Sequence, residues 1–222
     1  MQMPEALEDH IKITHIKQKD KEKRIMADVY KFKVKLCELE NIMWREIEIT
    51  SVSSVAKLGY TVLAAFESTA SHLFNIRYNG KRYEIVFEEY DFNEEPAVDP
   101  IKTKLSALKL SVGDTLTMAY DYGAGWEFDI ELLSITEMKR GAGTHYPYVT
   151  DGKGIGIIED TSPYELVEIV RKTDADGTFP KITNMYSGEI SDWDYRNFDL
   201  KYCNAFLKDN IYEIQNAYEA YE

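Results

Sequence analysis

The chain has 222 residues, 44% of them hydrophobic and 13% aromatic, and a formal net charge of −13. That composition fits one good globular core or two modest ones and excludes a disordered chain. The longest apolar run, Val62 to Phe66, is far too short to cross a bilayer. The negative charge opposes general attraction to nucleic acid or anionic lipid.

The charge is uneven. Between Ile11 and Lys35, nine Lys and Arg residues face three acids, a net +6 that leaves −19 on the remainder. Residues 1–28 are expected to be a basic amino-terminal extension outside the main core. If nucleic acid is touched at all, it is through this arm. No apolar signal core opens the chain, and Cys37 and Cys203 are far apart with no metal-binding spacing. Both are expected to be buried small hydrophobes in a reducing compartment. The expected location is the cytoplasm, with no membrane association.

A period of two begins at Val29. Tyr30, Phe32, Val34 and Leu36 alternate with Lys31, Lys33 and Lys35, which is a strand with one buried face and a lysine-bearing edge or solvent face. A second strand over Trp44–Thr50 completes a hairpin. Ser53 or Ser54 caps a helix from about Val55 to Glu67, with Val55, Leu58, Val62 and Phe66 at helical spacing. Leu73–Tyr78 and Arg82–Glu88 flank Asn79-Gly80, a strong hairpin signal. Glu88–Pro100 is an acidic loop, and Leu105 with Leu108 marks one helical turn.

The stretch Thr115–Leu133 is a further hairpin. Leu116, Met118, Tyr120 and Tyr122 are expected on one face, and Trp126, Phe128, Ile130 and Leu132 on one face of the returning strand. Gly123-Ala124-Gly125 is expected to provide the positive φ angles of the turn. Gly141–Ile158 reads as irregular. Ser162-Pro163-Tyr164-Glu165 is a capping box opening a helix to about Lys172. Asp174–Gly188 reads as loop, and Asp199 caps a terminal helix to about Tyr221, with a possible break near Asp209-Asn210. This order of elements predicts an α+β fold: a mainly antiparallel sheet of hairpins, one helix packed on it, and a helical carboxy-terminal part. Residues 29–222 are expected to form one domain whose portion 139–222 is loop-rich and helical.

No complete catalytic set is visible. His10, His15, His72 and His145 form no HxH or HExxH arrangement. The glycines at 141–143 and 152–156 lack the spacing of a phosphate loop, and Asp174-Ala175-Asp176-Gly177 lacks the downstream Glu of a calcium loop. Asp121, Glu127 and Asp129 could supply acid or base groups, although acids on a strand face are ordinarily solvated surface.

An ordered set of motifs resembles the plasmid pRiA4b ORF-three-like family. It comprises Tyr30–Leu36, Met43-Trp44-Arg45, Ala64-Ala65-Phe66, Ser71-His72-Leu73-Phe74, Tyr120-Asp121-Tyr122-Gly123 with Trp126, Asp151–Gly154, and Phe198-Asp199-Leu200. The resemblance implies an α+β fold and links to mobile elements, without an established activity. Two departures stand out. Ala124 and Phe128 replace an acid and a histidine common in the family. Ile155–Asp160 stands where relatives carry a cysteine- and proline-containing stretch ending in Glu-Asp.

The leading expectation is a non-catalytic binding or interaction protein associated with mobile elements. Its contact surface would lie near Trp44, Arg45, His72, Tyr120, Asp121, Tyr122 and Trp126. No catalytic residue, metal or cofactor is assigned, and a protein partner is possible. One alternative is a metal-dependent, hydrolase-type enzyme using Asp121, His72 and Glu127. The other is a DNA-associated accessory factor acting through the basic arm.

Overall fold

A computed structural model describes residues 27–86, 96–139, 141–183, 188 and 190–220. The basic extension up to residue 26, with His10 and His15, and residues 87–95 of the acidic loop lie outside the described residues. The rest is an α+β fold built on a seven-stranded antiparallel sheet of order β4-β3-β5-β6-β1-β2-β7. Its strands are β1 (Asp28–Leu36), β2 (Trp44–Thr50), β3 (Phe74–Tyr78), β4 (Lys81–Glu84), β5 (Thr115–Tyr120), β6 (Trp126–Glu137) and β7 (Tyr148–Lys153). Helices α1 (Val55–Ala65), α2 (Pro163–Asp176) and α3 (Leu200–Glu219) accompany it. Strands β8 (Lys181–Thr183) and β9 (Ile190–Asp192) form a separate two-stranded sheet. No helix among the described residues is long and apolar enough to cross a membrane.

Alternation in β1 decides which face is core. Tyr30, Phe32, Val34 and Leu36 are buried, and the lysines between them are partly exposed. Strand β1 lies inside the sheet rather than at an edge, so the lysines occupy its solvent face. There Lys31 pairs with Glu46 at 2.7 Å and Lys35 with Glu131 at 2.9 Å, each across a neighbouring strand. A sheet with one wet and one dry face is the ordinary antiparallel solution.

The dry face is covered first by α1. Ser54 accepts a hydrogen bond from the Lys57 amide and caps it, and ten of its eleven residues are buried. Gly59 allows this depth, because a Cβ there would stand 2.2 Å from the Phe74 ring. Helix α3 packs on α1, joining Tyr60, Phe74 and Tyr218 in one aromatic group with centroids 5.1–5.7 Å apart. Helix α3 is unbroken at Asp209-Asn210, where the Asn210 side chain donates to the Phe206 carbonyl of the preceding turn.

Several sequence expectations need correction. The β5–β6 turn takes its positive φ from Asp121 (49°) and Gly125 (81°), not from Gly123. Asp121 Oδ1 fills the turn by accepting from the Gly123 and Ala124 amides. The chain reverses at that point, so Tyr122 leaves the face of Leu116, Met118 and Tyr120 and is half exposed. Cys37 is only partly buried, in contrast to Cys203.

The stretch Gly141–Ile158 is not wholly irregular, because it holds β7. This edge strand buries only Val149, so it shows no apolar alternation. Asn204 of α3 takes the place of an outer strand: its amide accepts from Val149 N at 2.9 Å and donates to Val149 O at 2.8 Å. Gly154 and Gly156 follow at φ 77° and 143°, where a Cβ would stand 2.3 Å from the Ile42 and Phe66 carbonyls. They allow close packing of backbone on backbone. Finally, α2 continues to Asp176, where Gly177 at φ 69° closes it by donating its amide to Thr173 O, and β8 replaces part of the expected loop. Asp176 accepts from the Thr178 amide and hydroxyl, and Asp174 from the Tyr195 hydroxyl.

Candidate functional site

After α1 the chain turns through Glu67 and Ala70, both at positive φ, before entering β3. The segment Ile157–Glu159 holds this turn from outside. Ile157 N donates to Phe66 O, and Glu159 Oε1 accepts from Ser68 Oγ and Thr69 N, both at 2.6 Å. The Tyr120 hydroxyl, from the end of β5, donates to the same carboxylate at 3.3 Å. Burial pushes the Tyr120 hydroxyl above its ordinary range, so it serves as a donor.

His72 stands at the rim of this arrangement. Its Nε2 lies 3.5 Å from Asp121 Oδ2, and its ring meets Tyr120 edge-on with centroids 6.0 Å apart. Its backbone carbonyl accepts from the Tyr218 hydroxyl of α3. Burial raises the Tyr218 hydroxyl strongly, with Tyr120, Tyr60 and Glu159 adding to the rise, so this phenol also remains protonated. The imidazole is therefore anchored through both its main chain and its ring.

Beside it stands Tyr122, 50% exposed. Its hydroxyl accepts from Asn75 Nδ2 at 2.9 Å and donates to Glu84, which is in turn paired with buried Arg82. The ring is exposed while its polar tip is fixed from beneath. Asn75 Oδ1 is buried without a hydrogen-bond partner among the described residues.

The structure thus brings together His72, Tyr120, Asp121 and Tyr122, from the start of β3 and the β5–β6 turn. The other three residues singled out from the sequence lie elsewhere. Trp44 is on the wet face of β2, with Lys33 Nζ 4.0 Å above its ring. Trp126 is core, 1% exposed, and its indole N–H has no acceptor among the described residues. Arg45 is fully buried on the dry face, opposite Val34. It donates to four backbone carbonyls: Ala65 (2.9 Å), Trp44 (3.0 Å), Lys153 (2.8 Å) and Ile155 (2.9 Å). The Phe66 and Phe198 rings lie 4.7 and 4.4 Å from its guanidinium carbon. Arg45 therefore ties α1, β2 and the 153–155 segment together. Glu67 is close enough to feel its charge, but burial dominates and pushes that carboxyl up to about 7.

Chemically, the His72 rim offers an imidazole–carboxylate pair, an exposed aromatic face, and neutral phenols fixed beneath them. Glu127 does not join it and instead lines a separate cleft beside Cys37. Among the described residues no three His, Cys, Asp or Glu side chains converge where a metal ion could sit. Sequence reasoning missed Ser68, Asn75, Glu84 and Tyr218, which come from the α1–β3 turn, β3, β4 and α3 and carry no motif. Glu159 did carry a signal, since it belongs to the Glu-Asp pair retained where the family's stretch is otherwise altered.

An antiparallel α+β sheet, with a hydrogen-bonded polar rim at one end of its β5–β6 hairpin, defines the class. Residues 28–204 match the family described as plasmid pRiA4b ORF-3-like protein, and the chain belongs to that family. It is also similar, at 26% identity over 130 residues, to the uncharacterized protein y4hQ of Sinorhizobium fredii. That alignment covers 59% of this chain and 64% of the relative, so the chain spans somewhat under two thirds of the relative's length. Among solved structures it resembles MM3350 of Methanosarcina mazei Go1, a protein of unknown function. The TM-score is 0.63 at 22% identity, covering 81% of this chain and 98% of the other, and this likeness concerns the fold.

Proposed function

We propose that this protein is a cytoplasmic, non-catalytic binding protein that engages its partner through the His72–Asp121–Tyr122 rim. The observation that carries the reading is Tyr122, an aromatic ring half exposed to solvent while Asn75 and Glu84 hold its hydroxyl. Aromatic anchors fixed before binding are what contact surfaces use, because little side-chain entropy is lost on association. Two unpaired thiols support a reducing compartment. The plasmid in the family's name supports an association with mobile elements. The partner is most simply another protein, with DNA contact confined to the basic arm.

The test is a thermal-denaturation screen against peptides, nucleotides, sugars, divalent metals and short DNA, run on the natural chain and on Tyr122→Ala with His72→Ala. A ligand at about 100 times its dissociation constant stabilises by roughly 2.7 kcal/mol, a shift of several degrees at this size. The double variant should lose that shift. A shift retained in full by the variant would remove the rim from the reading. A second reading, hydrolytic chemistry, is favoured by the 3.5 Å approach of His72 to Asp121. It requires that a stabilising compound be converted to product and that His72→Ala abolish the conversion.

A further inference from the structure

A second concavity lies where the end of β1, the far side of the β5–β6 turn (Ala124 and Gly125) and the start of β6 face helix α2. It is a cleft of about 510 Å³, within the usual range for ligand sites. Cys37 lies on its wall. Burial, reinforced by the charges of Asp129, Glu127 and Glu40, pushes that thiol up to about 11. The sulfur is therefore a neutral, weakly polar wall and not a nucleophile.

Two carboxylates line the same space: Glu38 at the end of β1 and Glu127 on β6. Neither has a cationic partner among the described residues. The cation nearest in the lining, Arg171, is already paired with Glu168 at 2.6 Å. From α2, Tyr164 contributes an aromatic ring that is 72% exposed. Unpaired carboxylates beside an exposed aromatic face and a neutral wall match one ligand chemistry, an organic cation on an apolar arm.

We infer that this cleft binds the side chain of an arginine or lysine carried by a peptide segment, with Glu38 and Glu127 receiving the charge. The cation enters between the two carboxylates, and its aliphatic stem lies along the Cys37 wall. A peptide is favoured over a free amine by Tyr164, which gives the residues flanking the cation a surface that a small amine would leave bare. The inference uses none of the rim's side chains, although the β5–β6 turn borders both places.

The experiment is calorimetric titration of the full chain with the peptide acetyl-Gly-Leu-Arg-Leu-Gly-amide, its Arg-to-Gln counterpart, and agmatine, at low and high salt. The arginine peptide should bind, weaken as salt rises, and exceed both the glutamine peptide and agmatine by roughly fivefold or more. Glu127→Gln and Glu38→Gln should each weaken it by roughly fivefold, and Tyr164→Ala should weaken the peptide more than agmatine. All three side chains are on the surface, and unchanged melting temperatures would confirm intact variants. Tyr122→Ala should leave this binding unchanged, which separates failure here from failure at the rim. Equal binding of the glutamine peptide, no response to either carboxylate variant, or no measurable binding overturns the inference. Agmatine binding as tightly as the peptide overturns the peptide source.

Discussion

Arg45 holds several segments of the described fold together through a single side chain. Four of its five N–H groups meet carbonyls that belong to three segments, and two phenyl rings flank its plane. Removing it leaves buried acceptors unsatisfied as well as a void, two costs that add. Arg45→Ala should destabilise by about 3 kcal/mol or more, a fall in melting temperature of roughly 6–12 °C for a chain of this size. Arg45→Lys preserves the charge but cannot reach carbonyls arranged around a plane, so it should recover little. Urea unfolding of both variants checks this, and a lysine variant as stable as the natural chain would refute the tie. Arg45 was legible in one respect. It is in phase with Ile47 and Ile49, so alternation alone places it on the dry face. A charged residue at a core position is rare, which is why an arginine there points first to a contact surface.

Among the elements, legibility followed burial. Strands β1, β2, β5 and β6 each bury alternate residues and announced themselves, as did the helices that carry Ser54, Ser162 and Asp199 as caps. Strand β7 did not, because it is an edge strand that buries only Val149 and so shows no apolar alternation. The candidate site was legible at His72 and Asp121 through motifs, but Tyr122 was placed on the wrong face. A left-handed Asp121 breaks the period of two, and aspartate does this without glycine's signature. The glycines after β7 were visible as a cluster, while their purpose depends on which backbone they approach. Gly156→Ala should cost about 2–4 kcal/mol, combining an unfavourable φ with a Cβ 2.3 Å from Phe66 O. It should also loosen the Ile157 amide, seen as faster hydrogen exchange, because that amide donates to the same carbonyl. Gly113→Ala is the control: φ is 93° but nothing lies within 4 Å of the added Cβ, so only conformational strain of about 1 kcal/mol remains. Equal losses for the two variants would show that the close approach at Gly156 contributes nothing.

For the whole molecule, pH acts through two separable causes. The chain carries −13, so mutual repulsion among surface carboxylates grows as they ionise with rising pH. Glu67 adds a local contribution of the same sign. Burial raises its folded pKa from 4.5 to about 7, so between those values the folded chain holds a proton that the unfolded chain has released. Stability must then fall as pH rises through that window, and the whole penalty is present above about 7. The penalty is on the order of 1–3 kcal/mol. Glu67→Gln should remove it, stabilising the protein above pH 7 and changing little below pH 4.5. Salt distinguishes the two causes, since it screens exposed charges but acts far less on desolvation of a partly buried carboxyl. Denaturant unfolding across pH, at low and high salt, should show a decline that salt reduces in both proteins and a residual decline present only in the natural chain. If salt alone abolished the decline in the natural chain, surface repulsion would account for it entirely and the partly buried Glu67 carboxyl would not.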